Sequence, residues 1–215
     1  AFIKFGGMAN GGTEKFLQTI ASHLNKDKFQ VDYYYTNGAP YIGSNHRHKD
    51  TDDSRLEYCK NHNVNCIPVK VDFKNVTVHT HDWIGTDFWN IFDESNYDVI
   101  ISGRSGHPEY PFNLINNTPI IDTIHLAGMA ENKKNTFMTV LMSEEQRRKW
   151  IHAGGPEKKS MVIPPAVVIP SVSDKLDFNQ KHIFGMHQRD NDYIFSPIPL
   201  EAYSEIENEN TMFLI

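Results

Sequence analysis

The sequence lacks the features that mark disulfide-rich and membrane-spanning proteins. Its 215 residues include only two cysteines, Cys59 and Cys66, whose spacing fits no usual metal motif, so we expect two reduced thiols and no disulfide framework. No apolar run approaches the ~20 residues that span a bilayer. The chain opens on a strand-like segment without a charged and apolar leader. These absences predict a cytoplasmic protein with no transmembrane segment.

Clustered basic residues are also scarce. The longest basic run is residues 147–149, the formal net charge is -6, and the sequence pI is about 6.0. Nucleic-acid-binding domains concentrate lysine and arginine on one face, which this sequence does not do. We therefore expect small molecules or neutral polymers as partners, and no nucleic acid.

The sequence does carry a repeated alternation of strand and helix patterns. Hydrophobic residues make up 39% of the chain and aromatic residues 12%, enough for the core of one full α/β domain and part of another. Parallel strands need crossover helices, which cover both faces of the sheet. We therefore predict an α/β fold with a doubly wound, Rossmann-like parallel sheet. The predicted strands are 1–5, 29–36, 65–69, 97–101, 119–124, 136–142 and 161–163, and the predicted helices are 13–24, 54–62, 83–92 and 143–152.

The amino-acid composition of the chain changes after residue 165. Residues 166–180 are polar and contain proline, which is typical of an interdomain linker. A strand, a helix and a strand then follow over residues 181–215, too few for a domain. We predict one Rossmann-like domain at 1–165, a linker at 166–180, and the incomplete start of a second α/β domain at 181–215.

Two glycine pairs separate the first strand from the first helix. They are Gly6 with Gly7 and Gly11 with Gly12, and Thr13 begins the helix. Glycine lets a backbone approach a ligand closely, and unpaired amides at a helix start attract anions. The pattern favours a phosphate-binding loop. A tight turn without a ligand is the alternative.

The eleven histidines raise the question of a metal site. His46 and His48 lie near Asp50, and His79 and His81 share a similar spacing. Neither group offers a clear tetrahedral set of ligands or a supporting second shell. We predict no metal.

Four segments together resemble the retaining GT-B glycosyltransferases of the group 1, or family 4, type, which include glycogen synthase and bacterial mannosyltransferases. Residues 11–17 are similar to the family's glycine-glycine-small-glutamate helix, and residues 121–125 to its strand ending in histidine. Residues 140–143 and 162–167 resemble the strand-serine segment and the exit from the first domain. Residues 184–189 and 195–203 look like the first strand and helix of the nucleotide-sugar domain.

The resemblance implies a hexosyltransferase of glycan biosynthesis. It would move a sugar from a nucleotide-sugar donor to a glycan or to a lipid-linked or protein-linked hydroxyl, with retention and without a metal or other cofactor. Two features depart from the family. Arg189 lacks the usual lysine partner, and the glutamate-x7-glutamate donor motif would lie beyond Ile215. We therefore expect this fragment to be inactive alone and to need the remainder of its C-terminal domain as a partner.

The resemblance also implies roles for individual residues. His125 would be the catalytic residue that holds the transferred sugar, although a lone histidine at a strand end is more often structural. Donor phosphates would be held by Gly6, Gly7, Gly11, Gly12, Thr13 and Arg189. Arg104, His107 and Glu109 follow another predicted strand and would bind acceptor hydroxyls, with a solvated loop as the alternative.

Two other functions stay open. The domain could bind a glycan or a protein partner without catalysis. It could also be an NAD(P)-binding oxidoreductase domain, which is disfavoured because the loop lacks G-x-G-x-x-G and no acidic residue ends the second strand.

Overall fold

The computed structural model describes seven stretches of the chain. They are residues 1–36, 51–71, 85–103, 112–125, 136–165, 182–185 and 197–214. The chain divides into two compact units, Ala1–Val168 and Ile169–Ile215. Each unit is an α/β structure, and the larger one carries the candidate site.

A seven-stranded parallel sheet forms the centre of the larger unit, with the order β3-β2-β1-β4-β5-β6-β7. Since β1 lies between β2 and β4, the chain runs outward in both directions from the middle of the sheet. This is the doubly wound arrangement predicted from the sequence, and it places the end of β1 at the switch point. The strands are β1 (Phe2–Lys4), β2 (Asp32–Thr36), β3 (Asn65–Val69), β4 (Ile100–Ser102), β5 (Ile120–Ile124), β6 (Thr136–Leu141) and β7 (Ser160–Val162).

The described residues of this unit form four α-helices: α1 (Gly12–His23), α2 (Asp53–Asn61), α3 (Phe88–Ile91) and α4 (Glu144–His152). The predicted cap at Ser143 is confirmed, since its hydroxyl accepts a hydrogen bond from the amide of Gln146 at 3.1 Å. Asp52 caps α2 in the same way through the amides of Ser54 and Arg55. Helix α3 is shorter than the predicted 83–92 helix, of which residues 83 and 84 lie outside the described ranges.

Alternate residues of the central strands supply two separate cores. Phe2 and Tyr33 face α1 and α2, whereas Ile3 and Tyr34 face α3. Successive side chains of a strand point to opposite faces, so a continuous apolar run buries both. This explains why polar and apolar residues do not alternate along the central strands.

Strand β4 begins later than predicted. Residues 97–99 precede it because a short 3-10 helix at Glu94–Asn96 turns the chain first, with the Tyr97 amide donating to the Glu94 carbonyl at 3.1 Å. The Tyr97 hydroxyl then donates to the Asp32 carboxylate at 2.7 Å. The apolar run at 97–101 is thus shared between a turn and a strand.

The smaller unit contains β8 (His182–Gly185), α5 (Ile198–Ser204) and β9 (Thr211–Leu214), with β8 and β9 parallel. The Tyr203 ring packs between those of Phe184 and Phe213, at centroid distances of 5.8 and 5.1 Å. Over the described parts of both units, no helix has the length and apolar character needed to cross a membrane.

Candidate functional site

Strands β1, β4 and β5 all end at one edge of the larger sheet. These strands are neighbours and run parallel, so their carboxyl ends lie side by side. The glycine loop follows β1, Gly103 follows β4, and His125 follows β5. In open α/β sheets, ligands bind at this edge beside the switch point.

The first glycine pair is required by the fold itself. Gly6 has a φ of 61°, in the left-handed region that favours glycine, and its amide donates to Thr36 Oγ1 at 2.8 Å. A Cβ on Gly7 would lie 2.6 Å from the Tyr33 ring and 2.8 Å from the Lys4 carbonyl oxygen. These two glycines shape the loop whether or not a ligand is bound.

A buried glutamine on α1 fixes the direction of this loop. The Gln18 amide nitrogen donates to the carbonyls of Gly7 at 2.7 Å and Ala9 at 3.1 Å. Its oxygen accepts from Arg55 Nε at 2.6 Å. The Met8 carbonyl accepts from the Asp52 amide at 2.9 Å. The loop carbonyls are therefore held by α1 and by the start of α2.

The second glycine pair lies at the start of α1, and its surroundings differ from those of Gly6 and Gly7. Gly11 is the N-cap and provides no side-chain cap. Within the described stretches, the amides of Gly12 and Thr13 have no hydrogen-bond acceptor. Gly12 is exposed, and a Cβ placed on it would meet nothing within 4 Å. The fold does not require glycine at position 12, which leaves room for another molecule beside the helix start.

A buried ion pair lies beneath the loop. Lys4 Nζ and Glu14 Oε1 are 3.6 Å apart, and the side chains are 4% and 1% exposed. A Cβ on Gly11 would collide with the Glu14 carboxylate. Glycine at position 11 therefore gives the carboxylate its place under the helix start, where Lys4 balances its charge.

His125 faces the first turns of α1. Its ring meets the Phe16 ring edge-on at a centroid distance of 5.0 Å. Its Nε2 atom is buried, and no residue in the described ranges hydrogen-bonds to it. Burial is the main cause that lowers the pKa of His125 to about 4, with a further contribution from the Lys4 ammonium, whereas Glu14 and Asp122 oppose the shift. The imidazole is therefore neutral at physiological pH.

The backbone around His125 is held by hydrogen bonds between strands. The Ser102 hydroxyl donates to the Asp122 carboxylate at 2.6 Å, and the Thr123 hydroxyl donates to the Ser102 carbonyl at 2.9 Å. Gln146 Nε2 donates to the Ile124 carbonyl at 3.0 Å. These bonds join β5 to β4 and to α4 and fix the position of His125.

The structure brings six of the predicted site residues to one edge of the sheet: Gly6, Gly7, Gly11, Gly12, Thr13 and His125. Their predicted roles stay predictions. The other predicted residues lie outside the described ranges: Arg104, His107, Glu109 and Arg189, together with His46, His48, His79 and His81.

Sequence reasoning missed Lys4, Glu14, Gln18 and Arg55 as parts of this site. One signal was available, because Glu14 and Gln18 lie four residues apart, on the side of α1 that also carries Leu17 and Ala21. Polar residues on an apolar helix face need buried partners. The spacing along α1 does not reveal which residues those partners are.

No protein-family model matches the sequence, and no curated protein matches it significantly. Solved structures do match its fold. The HepE protein of Anabaena in complex with UDP and glucose aligns with a TM-score of 0.60 and 13% identity, covering 99% of this chain. Its complex with UDP-glucose gives 0.59 and 12%, also over 99% of this chain. The lipopolysaccharide outer core galactosyltransferase WaaB gives 0.52 and 12%, over 86%.

These neighbours are GT-B glycosyltransferases, and the likeness confirms the predicted α/β, Rossmann-like fold. The chain spans 60% of the length of HepE and 50% of that of WaaB. At such low identity the likeness concerns the fold.

Proposed function

We propose that this chain is the acceptor-side domain, with the start of the nucleotide-sugar domain, of a retaining glycosyltransferase. One observation carries the proposal. The unpaired amides at the start of α1 and the unpaired buried Nε2 of His125 lie at the same edge of the sheet, within the described part of the chain. The first group suits a diphosphate, and the second suits a sugar hydroxyl.

The start of α1 would stabilise the leaving diphosphate. Helix N-termini carry a partial positive charge, and their free amides bind phosphate oxygens directly. Glu14 in the first turn would repel an anion if it were unbalanced, but Lys4 Nζ lies 3.6 Å from its carboxylate. The pair leaves the helix dipole available to the ligand. Charge that develops on the diphosphate is then stabilised by fixed dipoles, without a metal.

His125 would hold the transferred sugar. A neutral imidazole can donate or accept one hydrogen bond at Nε2, depending on its tautomer. The Phe16 ring and the bonds of β5 fix the histidine in place. In a reaction with retention, the sugar–diphosphate bond breaks and the new bond to the acceptor oxygen forms on the same face. The acceptor would therefore attack from the face from which the diphosphate departs, and the proton of its hydroxyl would pass to a diphosphate oxygen.

The comparisons suggest the class of substrate. HepE was solved with UDP-glucose and WaaB is a galactosyltransferase acting on the lipopolysaccharide outer core. We accordingly propose a UDP-hexose donor and a glycan acceptor, with the reaction in the cytoplasm. The remaining donor contacts would come from Arg189 and the rest of the second domain.

The proposal is tested with the full-length gene product and this 215-residue chain in parallel. Binding of UDP, UDP-glucose and UDP-galactose is measured by calorimetry, and donor hydrolysis by release of UDP. We expect the full-length protein to bind UDP-sugar and release UDP in the presence of EDTA, and this chain to release none. NAD is the control ligand.

Each negative result is informative. Binding of NAD and not of UDP would overturn the proposal in favour of an oxidoreductase domain. Glycan binding without UDP binding in the full-length protein would favour the non-catalytic alternative. Loss of UDP release in EDTA would overturn metal independence alone. The anomeric configuration of the product, read by NMR, tests retention separately.

A further inference from the structure

Two histidines meet at the end of α1 that lies away from the glycine loop. His23 is the last residue of α1, and His62 directly follows α2. Their ring centroids are 5.6 Å apart. His23 lies eleven positions after Gly12 in α1, which is about 17 Å along a helix axis. This pair is therefore separate from the candidate transferase site.

In both histidine rings the hydrogen bond to the backbone uses Nδ1 and leaves Nε2 available. Nδ1 of His23 lies 2.9 Å from the carbonyl oxygen of Thr19, and Nδ1 of His62 lies 2.8 Å from that of Tyr58. A carbonyl oxygen only accepts, so each Nδ1 carries the hydrogen and each neutral ring presents a lone pair at Nε2. Metal-binding histidines commonly have this arrangement, in which the far nitrogen donates to a backbone carbonyl.

The position of the rings also suits a shared ion. Two imidazoles bound to one zinc at about 2.1 Å in tetrahedral geometry have ring centres roughly 5 Å apart. The observed centroid distance of 5.6 Å is close to this separation. The Tyr58 ring packs on His62 at 4.4 Å, and the Arg55 guanidinium covers Tyr58 at 4.6 Å, so His62 is held in place.

We propose that His23 and His62 form a two-histidine site for a borderline transition ion such as Zn²⁺, Ni²⁺ or Cu²⁺. Among the described residues, no group of three or more potential ligands surrounds a common point, so water would complete the coordination. Lys26 Nζ already donates to the last carbonyls of α1, which discourages hard, oxygen-seeking ions at this helix end. Imidazole nitrogens favour zinc, nickel and copper over magnesium and calcium.

A bound ion would join the ends of α1 and α2. The same two helices hold the glycine loop, because Gln18 of α1 donates to the loop and Arg55 of α2 donates to Gln18. The ion would stabilise the frame of that loop without touching substrate. The site does not depend on the proposed transferase function.

The test uses this chain with metal alone as the probe. Binding of ZnCl₂ and NiCl₂ is measured by calorimetry and by the shift in melting temperature for the wild type, His23→Gln, His62→Gln and the double variant. His152→Gln is the matched control, because His152 is also exposed and ends a helix. MgCl₂ is the control ion. Circular dichroism checks the fold of each variant.

We expect each site variant to lose one equivalent of zinc and part of the zinc-dependent rise in melting temperature, while His152→Gln keeps both. Paramagnetic Ni²⁺ should broaden the amide NMR signals near residues 23 and 62 together, in the wild type only. Equal zinc binding by the wild type and the double variant would overturn the proposal. Broadening near only one of the two histidines would overturn it as well.

Discussion

Lys4 and Glu14 form an ion pair that is almost completely buried beneath the glycine loop. The ammonium and carboxylate are 3.6 Å apart, with 4% and 1% of their side chains exposed. One residue ends β1 and the other lies in the first turn of α1. The pair joins the strand to the helix on either side of the loop.

Breaking this pair from one side should be costly. Lys4→Met removes the cation that lies 3.6 Å from a buried carboxylate, and we expect a loss of about 3–5 kcal/mol in the free energy of unfolding. Glu14→Gln should lose a similar amount, measured by urea denaturation. The double variant Lys4→Met with Glu14→Leu should lose less than the two single losses combined, because no unbalanced charge remains.

An exposed ion pair provides the control. Lys149 and Glu145 are 2.7 Å apart on α4, with 58% and 66% of their side chains exposed. Lys149→Ala should change the free energy of unfolding only slightly, because water and salt screen an exposed pair. If Lys4→Met and Lys149→Ala destabilise the protein equally, the buried pair does not have the structural role assigned to it.

Substitution at Gly12 should separate binding from stability. A Cβ at this position meets nothing within 4 Å, and alanine is favoured over glycine in a helix, so Gly12→Ala should keep or raise stability by up to about 1 kcal/mol. In the full-length protein it should nevertheless weaken UDP-sugar binding, because the methyl group occupies the approach to the helix amides. Calorimetry measures the affinity.

Gly7→Ala is the matched variant for this prediction. Its Cβ would meet the Tyr33 ring and the Lys4 carbonyl, so stability should fall by roughly 1–3 kcal/mol. Unchanged UDP-sugar affinity in Gly12→Ala would show that no ligand approaches the start of α1.

His125 should make stability depend on pH. Its pKa is about 4 in the folded chain, because of burial and the Lys4 ammonium, against 6.5 for the free side chain. Between these values the unfolded chain binds the proton and the folded chain does not, so stability rises as pH increases from about 4 to 6.5. His125→Gln should flatten this rise, as measured by urea denaturation across the range.

The same variant also tests catalysis. In the full-length protein, His125→Gln should lower turnover at pH 7 far more than it lowers the melting temperature at that pH, because the proposed role of the imidazole is to hold the sugar. Equal losses of turnover and of stability would favour a purely structural role. The His125→Ala variant checks that the glutamine amide does not replace the imidazole.

Gln18 should be needed for the shape of the loop. Gln18→Met removes the donor to the Gly7 and Ala9 carbonyls and the acceptor of Arg55, and should cost about 1–3 kcal/mol. UDP-sugar affinity of the full-length protein should fall as well, since the loop is released. Gln30→Met, at an exposed position, is the control and should change neither quantity. Retained affinity in a folded Gln18→Met protein would contradict this role.

The elements of the fold could be predicted because their signals are local. Strand β3 was predicted with the bounds that the structure gives, and α1 and α2 within one residue at each end. Apolar spacing marks a helix face, and a continuous apolar run marks a buried parallel strand. Helix α3 was predicted too long, since Thr86 forms a β-bridge with Val71 and Asp87 hydrogen-bonds to Lys70 instead of joining the helix.

The environment of the site could not be predicted from local patterns. The sequence marks a glycine loop and a histidine after a strand, separated by more than a hundred residues. The pairing of β1 with β4, and of β4 with β5, brings them together. Burial then keeps His125 unprotonated at neutral pH. Neighbouring atoms crowd the Cβ position of Gly7 but not that of Gly12, so the fold requires glycine only at the first of these two positions.

The sequence by itself therefore determined the alternation of strands and helices and the glycine loop with its helix start, because these depend on neighbours along the chain. Only the tertiary structure decided that Glu14 pairs with Lys4, that Gln18 holds the loop, and that His23 meets His62. Those contacts depend on strand order and helix packing, which place distant residues within a few ångströms and remove them from water.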